Sequence, residues 1–219
     1  MNDDSILSKL MRLINKAGTV VLQNLVFLIS CIPVVTIGAA WSGIYSCIRF
    51  QIRKDSWFEG FKTGFKTHFL RNTIAWLICL AVSYTALDMT LVLAGYLAEG
   101  GREQLGSVIA LLVGSGLVLL IALVYSTVMI PVSLYIPGDV NSWLKNTWDL
   151  IFHAPLQALG CTVLTWLPMV LLLFFTEIAG LLLIVFLAVY FVLTTLVMTI
   201  LLKNPLIRIL QKVRQSEEA

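Results

Sequence analysis

Residues 29–38 read ISCIPVVTIG, in the middle of an apolar run that extends from Thr19 to Ile48. A proline at the centre of such a run, followed by Thr36 and Gly38, is a break signal. Proline has no N–H and its ring clashes with the preceding helical turn. It also drives the residue before it, here Ile32, away from helical angles. Segment 18–50 therefore either crosses a bilayer once or turns at Pro33 and comes back.

A bilayer is the solvent that composition demands. Of 219 residues, 59% are hydrophobic and 12% are charged, where a soluble domain carries about 25% charged residues. Mean hydropathy is +0.93. A spanning helix needs about 20 apolar residues, and segments 73–97, 105–136, 155–176 and 178–202 each supply that length. Segment 18–50 is too long for one span and short for two.

Charge placement chooses between the two readings of Pro33. Cytoplasmic loops carry the excess of Lys and Arg. A single crossing would put Lys9, Arg12 and Lys16 opposite the basic stretch from Arg49 to Arg71. A hairpin puts both segments on one side, and alternation of the four later spans then leaves Arg102 as the one cation outside, among fifteen Lys and Arg in all. The outer loops hold Glu99, Glu103 and Glu177 instead. The expected fold is all-α, a single polytopic membrane domain over 1–219 with about six membrane helices, the first two forming a short hairpin broken at Pro33. Both termini are expected on the cytoplasmic side of a bacterial cytoplasmic membrane. Each hairpin arm has about 15 residues, or roughly 22 Å of helix at 1.5 Å per residue. That falls short of the hydrocarbon core of about 30 Å, so the turn should lie buried in protein or floor a wet cavity. Thr36 is expected to cap the returning helix through its hydroxyl, and Gly38 to allow close backbone approach.

Four amphipathic segments flank the spans: 5–17, 57–70, the stretch after Gly138-Asp139, and 204–214. Asp3, Asp4 and Ser5 offer a cap for the first. In the second, Trp57, Phe58, Phe61, Phe65 and Phe69 form a stripe opposite Glu59, Lys62 and Lys66. Asn204-Pro205 reads as the start of the last, with proline in the first turn. Helices of this kind lie in the interface with basic residues near anionic headgroups. The bilayer and its anionic lipid headgroups are thus the first expected partners. The formal net charge of +3 is no sign of nucleic-acid binding, because the cations border the spans.

Few residues carry chemistry. Asp88 is the one formal charge well inside a span, 17 residues and roughly 25 Å along the helix from Arg71. Ionisable residues at such depth are costly and often functional. Gln23 and Asn24 are candidates for helix pairing, since amides bond across helices. Pro131 and Pro168 free the carbonyls of Thr127 and Leu164, with Ser126, Thr127 and Thr165 near enough to relieve them. Gly106, Gly114 and Gly116 are expected to permit close helix contact. Cys31, Cys47, Cys79 and Cys161 lie in apolar runs without C-x-x-C spacing and read as packing residues. Leu28-Ile29-Ser30-Cys31 fits a lipobox, but the chain beyond it stays apolar, against a lipoprotein signal. There is no Walker loop, HExxH, GxSxG or cluster of Cys and His, so no catalytic, metal or cofactor residues are assigned and no enzyme is expected.

Asn24-Leu25 leading into PVVTIGA at 33–39, then FEGFKTGFKTHF at 58–69, resemble the YesL-like family of bacterial integral membrane proteins of unknown biochemical function. The resemblance extends over nearly the whole chain. It implies an accessory role in carbohydrate uptake, with sugar-transporter subunits as partners, and it supplies no catalytic residues. The other reading is a small secondary transporter or channel that uses Asp88 and the Pro33 hairpin.

Overall fold

The structure, a computed structural model, describes residues 3–52, 56–67, 69–99, 105–136, 138–174 and 186–217. Arg102, Glu103, Glu177 and residues 178–185 of the last expected span lie outside the described residues. So do the side chains of Asp3, Asp4, Ser5, Lys9 and Arg12.

The regular elements described are all helical. In chain order they are α1 (Asp3–Cys31), a 3-10 turn (Val34–Thr36), α2 (Ile37–Ile52), α3 (Trp57–Lys66), α4 (Phe69–Ala98) and α5 (Leu105–Tyr135). Then follow α6 (Val140–His153), α7 (Pro155–Phe174), a π turn (Phe186–Tyr190) and α8 (Phe191–Glu217). Helices α4, α5 and the stretch Ala188–Gln215 are long and apolar enough to cross a membrane, and a fourth crossing is added if the bent pair α6–α7 is one span. Apolar helices of this length suggest a membrane location. The expected six spans are not shown: among the described residues three or four such helices are found. The Pro33 hairpin is not among them, and α2, at 16 residues, is shorter than the roughly 20 that a span needs.

The chain divides into two compact units, the first Met1–Phe69 with Leu164–Leu201 and the second Leu70–Val163 with Leu202–Ala219. In the first, the helix does break at Pro33 and the chain reverses. Phe27 and Trp41, seven residues either side of Val34, meet edge to face with ring centroids 5.4 Å apart. Phe191 closes the cluster, 4.6 Å from Phe27 and 5.8 Å from Trp41. The tip is not packed as expected: Ile32, Val34 and Val35 are 77%, 55% and 50% exposed. Its polar groups are satisfied locally instead. The Ile32 N–H donates to Ile29 O, the Thr36 N–H donates to Pro33 O, and the Thr36 hydroxyl donates to the carbonyls of Ser30 and Pro33. Thr36 thus closes the end of α1 and does not cap α2.

The lead-in 5–17 is no separate interfacial helix either, because α1 runs unbroken from Asp3 to Cys31. Nothing between Ala17 and Thr19 breaks a helix except Gly18, and one glycine costs only about 1 kcal/mol. Helix α3 departs from expectation in its buried face. Gly60, Phe61 and Gly64 are buried, and the glycines let α3 close on α2. A Cβ at Gly60 would lie 2.8 Å from Phe50 Cβ and 3.0 Å from Ser46 O.

The second unit is built on α4 and α5. Arg71 donates to Ser133 O at 3.2 Å, Cys79 Sγ lies 4.0 Å from Met129 Sδ, and the hydroxyls of Thr90 and Ser115 are 2.9 Å apart. These pairs run in opposite chain directions, so the helices are antiparallel. Helix α6 starts where Gly138 adopts φ +146° and Asp139 caps the first turn, accepting from Ser142 N at 3.0 Å. It packs on the lower half of α5, where Trp143 Nε1 donates to Met129 O at 2.9 Å. The Arg71 guanidinium covers the Trp143 ring at 5.0 Å.

Pro205 does not begin a new helix, since α8 passes through it. Leu202, Leu206 and Ile209 are buried within the second unit on one continuous stripe. Burying two large aliphatic side chains beyond the proline contributes about 1.5–3 kcal/mol each, enough to offset the roughly 3 kcal/mol cost of proline inside a helix.

Candidate functional site

The polar residues buried in the first unit come from α1, α2, α7 and α8. Gln23, Asn24, Ser42 and Thr195 are fully buried and Tyr45 is 1% exposed. Asn24 Oδ1 accepts from the backbone N–H groups of Phe191 and Val192 at 3.0 and 3.4 Å. These amides lie where the π turn Phe186–Tyr190 passes into α8. The side chain of one helix therefore bonds the backbone of another. Met198 Sδ accepts from Tyr45 Oη at 3.4 Å and from Thr165 Oγ1 at 3.5 Å. Gln23 differs from its neighbour, because neither amide atom has a hydrogen-bond partner among the described residues. Gly38 is buried in the first turn of α2, and its carbonyl accepts from Ser42 Oγ at 3.1 Å. Amides, hydroxyls and a thioether in this arrangement knit helices together.

The carbonyl freed by Pro168 finds a partner that the sequence did not point to. Tyr190, on the π turn, donates its hydroxyl to Leu164 O, the group that Pro168 leaves open. Thr165, the expected relief, goes to Met198 instead. Near Pro131, Ser126 and Thr127 both donate to Leu123 O at 2.8 Å, so neither hydroxyl serves the Thr127 carbonyl. A tyrosine 22 residues downstream of Pro168 leaves no local pattern to find.

Asp88 belongs to the second unit, the Pro33 hairpin to the first. Asp88 is exposed on α4 and forms no hydrogen bond or ion pair with the described residues. Its surroundings are apolar and open, with Tyr84, Leu91 and Val92 all more than 60% exposed. Further along the same unit, α4 and α5 border a groove of about 550 Å³ lined by Ala81, Thr85, Ala86, Ala110, Gly114 and Ser115 among others, a lining that does not include Asp88. The glycines of α5 do not mark close contact as expected. A Cβ at Gly106, Gly114 or Gly116 would meet nothing within 4 Å. Among the described residues no group of three or more His, Cys, Asp or Glu could hold a metal.

Residues 20–87 match the family described as Protein of unknown function, DUF624. YesL-like proteins belong to that family. The match runs from the second half of α1 through the hairpin and α3 into α4. It takes in Gln23, Asn24, Pro33, Thr36 and Gly38, and stops one residue short of Asp88. It covers less than half of the chain, where the resemblance from sequence extended over nearly all of it. No curated protein and no solved structure matches the chain.

Proposed function

We propose that this chain is a non-enzymatic accessory protein of the bacterial cytoplasmic membrane, both termini cytoplasmic, which docks a sugar-transporter subunit along its α4–α5 face. The observation that carries the docking is Asp88, a carboxylate on an exposed, otherwise apolar helix face. An aspartate on a lipid-facing helix is costly, up to about 2.5–3.5 kcal/mol at the helix centre on insertion scales and less toward its end, where Asp88 lies. A partner helix that brings a cation or a hydrogen-bond donor to Asp88, and lays its apolar side in the groove, would offset that cost. The open space over Gly114 and Gly116 leaves room for it. The link to carbohydrate uptake comes from the resemblance to YesL-like proteins.

The test is affinity purification of the full chain in mild detergent, with transporter subunits quantified. Asp88→Leu and Gly114→Trp should each lower their recovery by about tenfold, a loss of roughly 1.4 kcal/mol, while the thermal midpoint of the isolated chain stays unchanged. Consistent isolation of the native chain alone would overturn the proposal. Sugar uptake by the purified chain in liposomes, abolished by Asp88→Asn, would assign it transport of its own instead.

A further inference from the structure

The second unit holds a further cleft of about 240 Å³, lined by Asp149, His153, Gln157, Asn204, Arg208 and Lys212 among others. It lies in the elbow between α6 and α7, which bend by 100° where Ala154 leaves the helical region at φ −138°, ψ 53°. The C-terminal part of α8 completes it.

Its groups are arranged for an anion. Asp149 holds two of them: its carboxylate accepts from Lys212 Nζ at 3.2 Å, and its carbonyl is 2.8 Å from His153 Nδ1. A carbonyl only accepts, so Nδ1 carries a proton and Nε2 is left for another partner. Arg208 is exposed and forms no hydrogen bond or ion pair with the described residues. Two cations against one carboxylate leave a net charge of +1 with His153 neutral. Gln157 and Asn204 add amide donors. A guanidinium presents its donors as a planar fork that matches two oxygens of a phosphate. The volume is below the roughly 300–1,000 Å³ of sites that enclose drug-sized ligands, which suits a headgroup rather than a whole metabolite.

Position in the chain identifies the source. The apolar part of α8 ends at Leu202, Lys203 follows, and Asn204, Arg208 and Lys212 occupy the next turns. On the other side, α6 is amphipathic and α7 turns sharply into an apolar run. Both walls therefore meet at the border between apolar and charged sequence, which is where lipid phosphates lie. We infer that this cleft binds the phosphate of an anionic phospholipid, with Arg208 as its clamp and Lys212, positioned by Asp149, as the second cation.

The experiment uses the full chain in phosphatidylcholine nanodiscs containing a few per cent phosphatidylglycerol, with co-purified phosphatidylglycerol quantified by native mass spectrometry. Arg208→Gln should lower its retention by about tenfold or more, since a charge-assisted bond is lost. Arg208→Lys should fall between Arg208→Gln and the native chain, and Lys212→Gln should have a smaller effect. Lys62→Gln with Lys66→Gln, which removes more charge from outside the cleft, should leave retention unchanged. An equal loss in that control would mean diffuse surface attraction and overturn the site. Competition by millimolar glycerol phosphate as effective as that by phosphatidylglycerol would overturn the lipid as its source.

Discussion

Gln23 and Asn24 are neighbours on α1, both fully buried, with opposite hydrogen-bonding states. Asn24 bonds two amides of α8 in a buried place, and losing it would remove both bonds. A hydrogen bond contributes about 0.5–1.5 kcal/mol. Asn24→Leu should therefore destabilise the protein by about that much or more, read as a fall in the thermal midpoint in detergent. Gln23→Leu should be neutral or stabilising, because an amide with no partner among the described residues is replaced by an apolar side chain of similar size. The same melting experiment checks both, and a native-like Asn24→Leu, or a large loss in Gln23→Leu, would refute the assignment. That these two amides sit inside an apolar run was legible in the sequence. Which one would find a partner was not, because Phe191 is 167 residues away and nothing local encodes the meeting.

At the scale of elements, breaks were legible wherever the chain's own chemistry makes them. Pro33 ends one helix, Asp139 caps another, and Gly138 supplies the one positive φ that the turn into α6 uses. Close approach was not legible, because it depends on what stands opposite. The glycines that appeared suited to contact, Gly106, Gly114 and Gly116, face open space, and those that hold helices together are in α2 and α3. At Gly64 a Cβ would overlap the Ser46 side chain and lie 2.5 Å from the Ser42 carbonyl. At Gly43 its three nearest neighbours would be ring atoms of Phe61, the first at 2.8 Å, and a ring shifts more easily than a backbone. Overpacking costs typically about 1–3 kcal/mol. Gly64→Ala should fall in that range and Gly43→Ala below it, as judged by chemical denaturation of the purified chain. Equal effects at the two positions would show that backbone contact is not what limits the α2–α3 approach.

For the whole molecule, composition was enough to indicate membrane helices, but not their number or grouping. The length of the Pro33 arms already showed them too short for full spans, but hydropathy along the chain cannot show that residues 164–201 return to the unit begun by the first 69. Sidedness rests on charge. The proposed hairpin topology would leave Arg102 as the only one of fifteen Lys and Arg residues outside, the arrangement that the bias of basic residues toward the cytoplasm favours. Single cysteines placed by Asn2→Cys, Lys62→Cys, Lys145→Cys and Gln215→Cys, in a background with the four native cysteines removed, should all react with a membrane-impermeant maleimide in inverted vesicles. Glu99→Cys should react only in right-side-out vesicles. The pair at residues 2 and 62 is decisive, because they bracket the broken helix and nothing else. If the two are labelled from opposite faces, α1 and α2 together cross the membrane once, Lys9, Arg12 and Lys16 join Arg102 outside, and the turn at Pro33 becomes a kink within a span.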